Sequence, residues 1–132
     1  MAEDGEVPVV VHKIDALVAQ VEAGARDVFA EVGTGVSEHV YRNALAVYLR
    51  TEGLSVSVEA QILVHYRGET AGCLRADMIV DGQLVVELKV VARISDAHVA
   101  QARAYTTRLQ AEGPVGGLVV NFTAAGVETR HV

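Results

Sequence analysis

The chain has 132 residues, of which 51% are hydrophobic and 21% are charged, and its formal net charge is −6. This length fits one compact domain, residues 1–132 with a flexible N-terminus over residues 1–8. The apolar content disfavours a disordered chain because it can offset the entropy lost on ordering. The negative charge counts against a broad phosphate-binding surface, but only in part, since a carboxylate metal site also adds negative charge.

Two helices are predicted before any strand. Apolar residues recur at helical spacing over residues 10–32, and Gly33 supplies a stop. Gly24 marks a point at which this first helix could be interrupted. A second helix is predicted over residues 37–52, with Gly53 closing it.

The apolar period then changes to that of strands. Residues 55–64 alternate between apolar and mostly polar side chains, residues 67–69 form a turn, and a second strand is predicted over residues 70–80. Asp81-Gly82 is a strong hairpin signal before a third strand over residues 83–90. That third strand is apolar enough to be central in the sheet.

The last part of the chain contains one helix and two short strands. Ser95 is a predicted N-cap for a third helix through Leu109, which ends before Gly113-Pro114. Strands over residues 115–122 and 127–132 follow. The order is therefore α-α-β-β-β-α-β-β, an α/β or α+β layer structure. Because a helix separates the third and fourth strands, we expect a mixed sheet flanked by helices.

Asp77 and the segment Glu87-Leu88-Lys89 place charged side chains in strands that otherwise have the composition of a buried core. Buried charges need partners or a metal, and a hard cation such as magnesium prefers carboxylate oxygens and water. Lys89 lies on the same strand face as Glu87, where it could orient or help to deprotonate a water. On spacing alone, the alternative is a salt-bridged hairpin in which Lys89 neutralises Glu87.

The strand register decides whether these residues can meet. A two-residue turn at Asp81-Gly82 would put Asp77 and Glu87 on opposite faces of the sheet. A three-residue loop over residues 80–82, with Gly82 left-handed, would put Asp77, Glu87 and Lys89 on one face, with the two acids as diagonal neighbours roughly 7 to 8 Å apart. We predict the three-residue loop.

Three further residues could complete this site. Glu38 lies in the first turn of the second helix, although the helix dipole alone also favours an acid there. Gln101 and Tyr105 are four residues apart on the third helix and share a face, so they could present a donor and a hydroxyl group to the site. The alternative for Tyr105 is a boundary residue packed on the core.

The segment Gly35-x-x-Glu38-x-x-Tyr41 resembles the signature of the GxxExxY protein family, a small branch assigned to the PD-(D/E)xK nuclease superfamily. The resemblance extends from about residue 23 to the C-terminus, and Thr34, where many relatives would have proline, is a mild departure. Gly33-Thr34-Gly35 immediately precedes this signature, and four further segments follow it in the family's order: Arg75-Ala76-Asp77, Glu87-Leu88-Lys89, Gln101-x-x-x-Tyr105 and Asn121-Phe122.

This resemblance implies a restriction-endonuclease-like core and a metal-dependent nuclease. One or two magnesium ions, or manganese in their place, would activate a water for attack on a phosphodiester of nucleic acid, with DNA favoured over RNA. The implied roles are metal binding by Glu38, Asp77 and Glu87, catalysis by these three with Lys89, and auxiliary roles for Gln101 and Tyr105.

Two other function classes stay open from the sequence. One is a non-catalytic module with the same fold that binds nucleic acid or protein, and the other is a regulatory protein whose acidic surface meets a basic partner. A homodimer is also expected, through the apolar stripe of the first helix, unless that stripe packs on its own sheet.

Other features have simpler interpretations. Cys73 is the only cysteine, so no intramolecular disulfide can form, and we expect a cytoplasmic protein in which this thiol is buried. No membrane segment is expected, and the acidic start differs from a secretory signal. The five histidines lack metal-ligand spacing and are expected at the surface or boundary. Gly116-Gly117 is expected to be a close-packing point at the entry to a strand.

Overall fold

The structure, a computed structural model, describes residues 9–113 and 115–132, so residues 1–8, which were expected to be flexible, lie outside the described residues. Its helices are α1 (Val9–Val32), α2 (Glu38–Thr51), α3 (Asp96–Leu109) and a short 3-10 helix (Gln110–Glu112). Its strands are β1 (Val56–Tyr66), β2 (Glu69–Val80), β3 (Leu84–Lys89), β4 (Gly116–Thr123) and β5 (Gly126–His131). The predicted order of elements is confirmed.

The five strands form one sheet in the order β1-β2-β3-β4-β5, so β3 is the central strand, as predicted. Strands β3 and β4 are parallel, and every other neighbouring pair is antiparallel. Helix α3 makes the crossover that a parallel pair requires. The expectation of a mixed sheet flanked by helices is therefore confirmed.

Helices cover both faces of the sheet. Helices α1 and α2 pack on one face around the large apolar core, in which Tyr41 stacks on Phe122 with 4.1 Å between ring centroids. Helix α3 packs on the other face, where Tyr105 contacts the cluster that contains Val85. The apolar stripe of α1 is buried in the large core, so it packs on its own sheet. That stripe is not free to form a dimer interface.

Glycines mark two close approaches between elements. Helix α1 continues through Gly24, so the suggested interruption there is wrong. A Cβ at Gly24 would lie 2.6 Å from a ring carbon of Tyr48, so the residue is needed where α1 meets α2. At the start of β4, a Cβ on Gly116 would lie 2.6 Å from the side chain of Ile14. The close packing expected at this point is confirmed.

The connection between β2 and β3 differs from both registers considered above. The N–H of Gln83 donates to the carbonyl of Val80 at 3.0 Å, which closes a turn whose central residues Asp81 and Gly82 have φ of 52° and 66°. Val80 then pairs with Leu84, which leaves Gln83 as an extra residue. The loop has three residues, as predicted, but they are 81–83 rather than 80–82.

Contacts with the neighbouring loop explain this shift. Asp81 adopts a positive φ because Ser55 holds it on two sides: its Oδ1 accepts the N–H of Ser55 at 2.8 Å, and its own N–H donates to the carbonyl of Ser55 at 2.8 Å. The carbonyl of Gln83 accepts from Gly116 N–H at 2.8 Å. Neither contact is visible in the sequence of the hairpin itself.

Strands β1 and β2 continue past the point at which β3 stops pairing with β2. The β2–β3 ladder covers only three pairs, ending at Met78 and Val86, whereas the β1–β2 ladder continues to the pair of Tyr66 and Glu69. Residues 60–76 therefore form a two-stranded extension, here called the hairpin arm. At its base, Glu59 has φ of 49°.

Several surface expectations can be compared with the fold. Cys73, in β2 on the hairpin arm, is exposed, so the expectation of a buried thiol is wrong. Of the described histidine side chains, His98 is half-buried and accepts the Ser95 N–H within a capping box, and the others are exposed. In the two described ranges, no helix is long and apolar enough to cross a membrane.

Candidate active site

Asp77 and Glu87 lie opposite each other where β2 and β3 separate. Continuing the register one residue past Met78 and Val86 sets Asp77 directly opposite Glu87. At this point, hydrogen bonds from backbone N–H groups to the two carboxylates replace the backbone hydrogen bonds of the ladder. The N–H of Asp77 donates to Glu87 Oε1 at 3.1 Å, and the N–H of Leu88 donates to Asp77 Oδ2 at 2.7 Å. The backbone of each strand therefore fixes the carboxylate of the other.

Glu87 is the buried member of this pair, with an exposed fraction of 3%. Burial, and after it the neighbouring charge of Asp77, raise the pKa of Glu87 to about 8. The carboxylate thus holds a proton near neutral pH unless a cation compensates its charge. Strongly shifted acids in a cleft are typical of functional sites.

Lys89 shares the face of Glu87 and points to α3. Its Nζ donates to Gln101 Oε1 at 3.1 Å, and Gln101 Nε2 donates to the hydroxyl oxygen of Tyr105 at 3.2 Å. No ion pair within 4.0 Å joins Lys89 to Glu87, although both residues are described. The salt-bridged hairpin considered as an alternative is therefore not the arrangement observed. Burial, followed by the charge of Glu87, raises the pKa of Tyr105.

Glu38 is the first residue of α2, directly after its N-cap Ser37, and it lines a cleft of about 240 Å³ together with Asp77. Partial burial raises the pKa of Glu38, and the charge of Asp77 adds to this effect. Asp77 therefore lies beside Glu87 and lines the same cleft as Glu38. Within the described parts of the chain, however, no three acidic, histidine or cysteine side chains are close enough together to hold a metal ion.

Arg42 is a residue of the site that the sequence analysis did not single out. It lines the same cleft as Glu38 and Asp77, and its Nη1 lies 3.0 Å from Oε1 of Glu59, with 16% of its side chain exposed. The available signal was its position four residues after Glu38, which puts both side chains on one face of α2.

Asn121 is a second residue near the site to which no role was assigned from the sequence, although it belongs to the Asn121-Phe122 segment of the family resemblance. It is fully buried opposite Lys89 in the β3–β4 ladder. Its Oδ1 accepts the Val91 N–H and its Nδ2 donates to the Val91 carbonyl, both at 2.9 Å, while Glu128 Oε1 accepts from Nδ2 at 3.1 Å. The signal was an amide within a strand of buried apolar residues. Asn121 fixes the loop that follows Lys89.

Comparison with known proteins agrees with this geometry. The family model of the PD-(D/E)XK nuclease superfamily matches residues 15–132, which include all six predicted site residues and every strand. Searches of curated proteins and of solved structures found no match. The mixed five-stranded sheet with helices on both faces is consistent with a restriction-endonuclease-like fold. This chain belongs to the PD-(D/E)XK nuclease superfamily.

Proposed function

We propose that this protein is a metal-dependent nuclease that hydrolyses phosphodiester bonds in DNA, with magnesium as its cation and manganese as a substitute. The observation that carries the proposal is the facing pair of Asp77 and Glu87, with Glu87 buried and its pKa raised to about 8. Two carboxylates held this close repel each other when both are ionised, and a bound cation offsets that repulsion. Membership of the superfamily supports the same reaction class.

The donor set fits a hard divalent cation. Asp77 Oδ2 and Glu87 Oε1 each accept one backbone N–H, and the second oxygen of each carboxylate accepts no hydrogen bond from the described residues. Carboxylate oxygens and waters are the ligands that magnesium prefers. We assign Asp77 and Glu87 as protein ligands and Glu38, across the cleft, as the third. Because the three are not drawn together, waters would complete the coordination.

The residues of the chain divide the work of hydrolysis. Bound magnesium supplies Lewis-acid stabilisation of the negative charge that develops on the phosphate. Lys89 Nζ, on the same face as Glu87, orients the attacking water and, as an ammonium group, stabilises the hydroxide that forms when this water loses its proton to solvent. Gln101 holds that ammonium group through its Oε1, and Tyr105 in turn fixes the amide of Gln101. Gln101 and Tyr105 are therefore positioning residues.

The proposal has four finer parts. The preference for DNA over RNA rests on the family resemblance. Placement in the GxxExxY branch rests on the same resemblance, through Gly35, Glu38 and Tyr41. A cytoplasmic location rests on the single Cys73, which has no partner cysteine in the sequence. A homodimer would form through a surface other than the buried stripe of α1.

The test is a cleavage assay with purified protein. Labelled single-stranded and duplex DNA and RNA are incubated with magnesium, with manganese or with EDTA, and products are separated by gel electrophoresis. We expect cleavage that requires the metal and falls by at least about 10³-fold in Lys89→Ala and in Asp77→Asn, because each removes a group that acts in the transition state.

The matched control is Asp27→Asn on the exposed side of α1, which makes the same chemical change outside the site. Circular dichroism of each variant establishes that it is folded. Cleavage that survives in both site variants would come from a contaminant or from other residues. If folded wild-type protein binds neither metal and cuts no substrate, the proposal is wrong and the non-catalytic module takes its place.

A further inference from the structure

One face of the hairpin arm, here called its open face, is exposed in the part of the chain that the structure describes. Ile62 on β1 and Ala76 on β2 pack on the α3 side with Tyr105, so the residues that alternate with them face the opposite side of the sheet. These alternating residues form two directly opposed cross-strand pairs and all are exposed: Gln61 with Arg75, and Leu63 with Cys73.

This open face adjoins the cleft of the candidate active site. Glu59, at the base of the arm, is held by Arg42 of α2, and Arg42 lines the cleft with Asp77. Arg75 lies only two residues before Asp77 on β2. A polymeric substrate that extends from the cleft past Asp77 would therefore reach the open face of the arm, first at the pair of Gln61 and Arg75.

Three arginines lie along this route in a chain whose formal net charge is −6, and Arg42 among them is paired with Glu59. Arg42 lies at the cleft, Arg75 lies on the open face and Arg67 lies at the tip of the arm, where its guanidinium is 5.3 Å from the ring centroid of Tyr66. Residues 60–76 contain two arginines and one acidic residue, Glu69. Spaced arginines are suited to successive phosphates of a nucleic acid.

We propose that the hairpin arm binds the duplex flank of the DNA substrate beyond the cleavage point, with Arg75 and Arg67 contacting its phosphates. This inference rests on the proposed nuclease function and adds the path of the substrate. Two-stranded ribbons have the width that the major groove of DNA accepts. From Asp77 to Glu69 the arm extends over about 26 Å at about 3.3 Å per residue, which corresponds to about eight base pairs.

The first experiment measures cleavage of duplexes whose flank on one side of the cut is shortened stepwise. We expect kcat/KM to rise with flank length and to level off near about eight base pairs. In the variant Arg67→Ala/Arg75→Ala, the ratio of kcat/KM for long and short flanks should fall by about tenfold or more. The control Arg26→Ala, on the exposed side of α1, should keep the wild-type ratio.

The second experiment measures binding without cleavage, using fluorescence anisotropy of a labelled 24-base-pair duplex and the Lys89→Ala variant as background. Adding the two arm substitutions should lower the slope of log K against log salt by about 1.8, or about 0.9 for each lost phosphate contact. Adding Arg26→Ala should leave the slope unchanged.

The outcomes separate the two proposals. Loss of metal-dependent cleavage in every substrate, with arm-dependent binding intact, would contradict the nuclease function but support the arm as a DNA-binding surface. Cleavage and binding that ignore flank length and the arm substitutions would overturn the inference about the arm. A DNA-free dimer that Leu63→Glu dissociates would also overturn it, because the open face would then bind a second copy of the chain.

Discussion

Asp77 and Glu87 face each other across two strands that have just stopped pairing, and the N–H of Asp77 donates to Oε1 of Glu87 at 3.1 Å. The carboxylate of Glu87 thus takes the place of a backbone acceptor. Because the sheet itself supplies this hydrogen bond, the two acids are held close together even though the charge of Asp77 helps to raise the pKa of Glu87. Four predictions follow from the site and its surroundings.

The stability of the metal-free protein should fall as pH rises. Glu87 has a folded-state pKa of about 8, above the ordinary value of 4.5, so its protonated form favours the folded state. That contribution is fully present below pH 4.5 and is lost as pH rises towards 8. Urea unfolding in EDTA should therefore show a free energy of unfolding that is lower at pH 8 than at pH 5, by an amount on the order of a few kcal/mol.

Glu87→Gln should remove most of this pH dependence, because the amide carries no titratable proton in the same buried position. Glu31→Gln, an exposed change on α1, is the control and should retain the wild-type profile. A Glu87→Gln profile as steep as that of the wild type would show that another group is responsible.

Magnesium should stabilise the folded protein more strongly at pH 8 than at pH 5. At the higher pH, less work is needed to remove the proton from Glu87 before its oxygens can bind a cation. A cation at about 100 times its Kd adds about 2.7 kcal/mol, which corresponds to a rise in Tm of roughly 5 °C or more. Differential scanning fluorimetry measures this rise, and Asp77→Asn should abolish it. An equal rise in Asp77→Asn would place the cation elsewhere.

Gln101→Ala should lower kcat by about tenfold and leave KM nearly unchanged. The substitution removes the acceptor that fixes Lys89 Nζ at 3.1 Å but leaves the metal ligands in place. Steady-state kinetics, which separate kcat from KM, test this expectation.

Gln110→Ala is the matched control for that experiment, because this exposed amide lies at the C-terminal end of α3, outside the site. Gln101→Glu provides a second check, since a carboxylate can still accept from Lys89 and should retain more activity than Gln101→Ala. Equal kcat values for Gln101→Ala and the wild type would contradict a positioning role for Gln101.

Gly24→Ala should destabilise the protein by about 1 to 3 kcal/mol, although alanine is ordinarily the better helix former. The added Cβ would lie 2.6 Å from the ring of Tyr48, so α1 and α2 would have to separate. Gly72→Ala is the matched control, because nothing lies within 4 Å of its added Cβ. Urea unfolding compares the two, and a Gly24→Ala protein as stable as Gly72→Ala would contradict the close contact.

The candidate site could be predicted only in part. Charged side chains in apolar strands pointed to Asp77, Glu87 and Lys89, and the family resemblance added Glu38, Gln101 and Tyr105 as candidates. Their contacts could not be predicted at the same level. The register of the β2–β3 hairpin depends on Asp81 and its two hydrogen bonds to Ser55, which is 26 residues away in the chain. The observed loop is therefore displaced by one residue at each end from the predicted one, which shifts the pairing of β2 with β3 by two residues. Asp77 and Glu87 still share a face, because the side-chain period of a strand is two.

The sequence by itself determined the order of elements, the central position of β3 and the identity of the charged residues, because apolar periodicity and turn residues act locally. Only the tertiary structure decided that Asp77 stands directly opposite Glu87, that Lys89 turns to Gln101 instead of Glu87, and that Arg42 lines the cleft. These relationships join residues on different strands and helices. Their geometry depends on how the elements pack against each other, which no local pattern encodes.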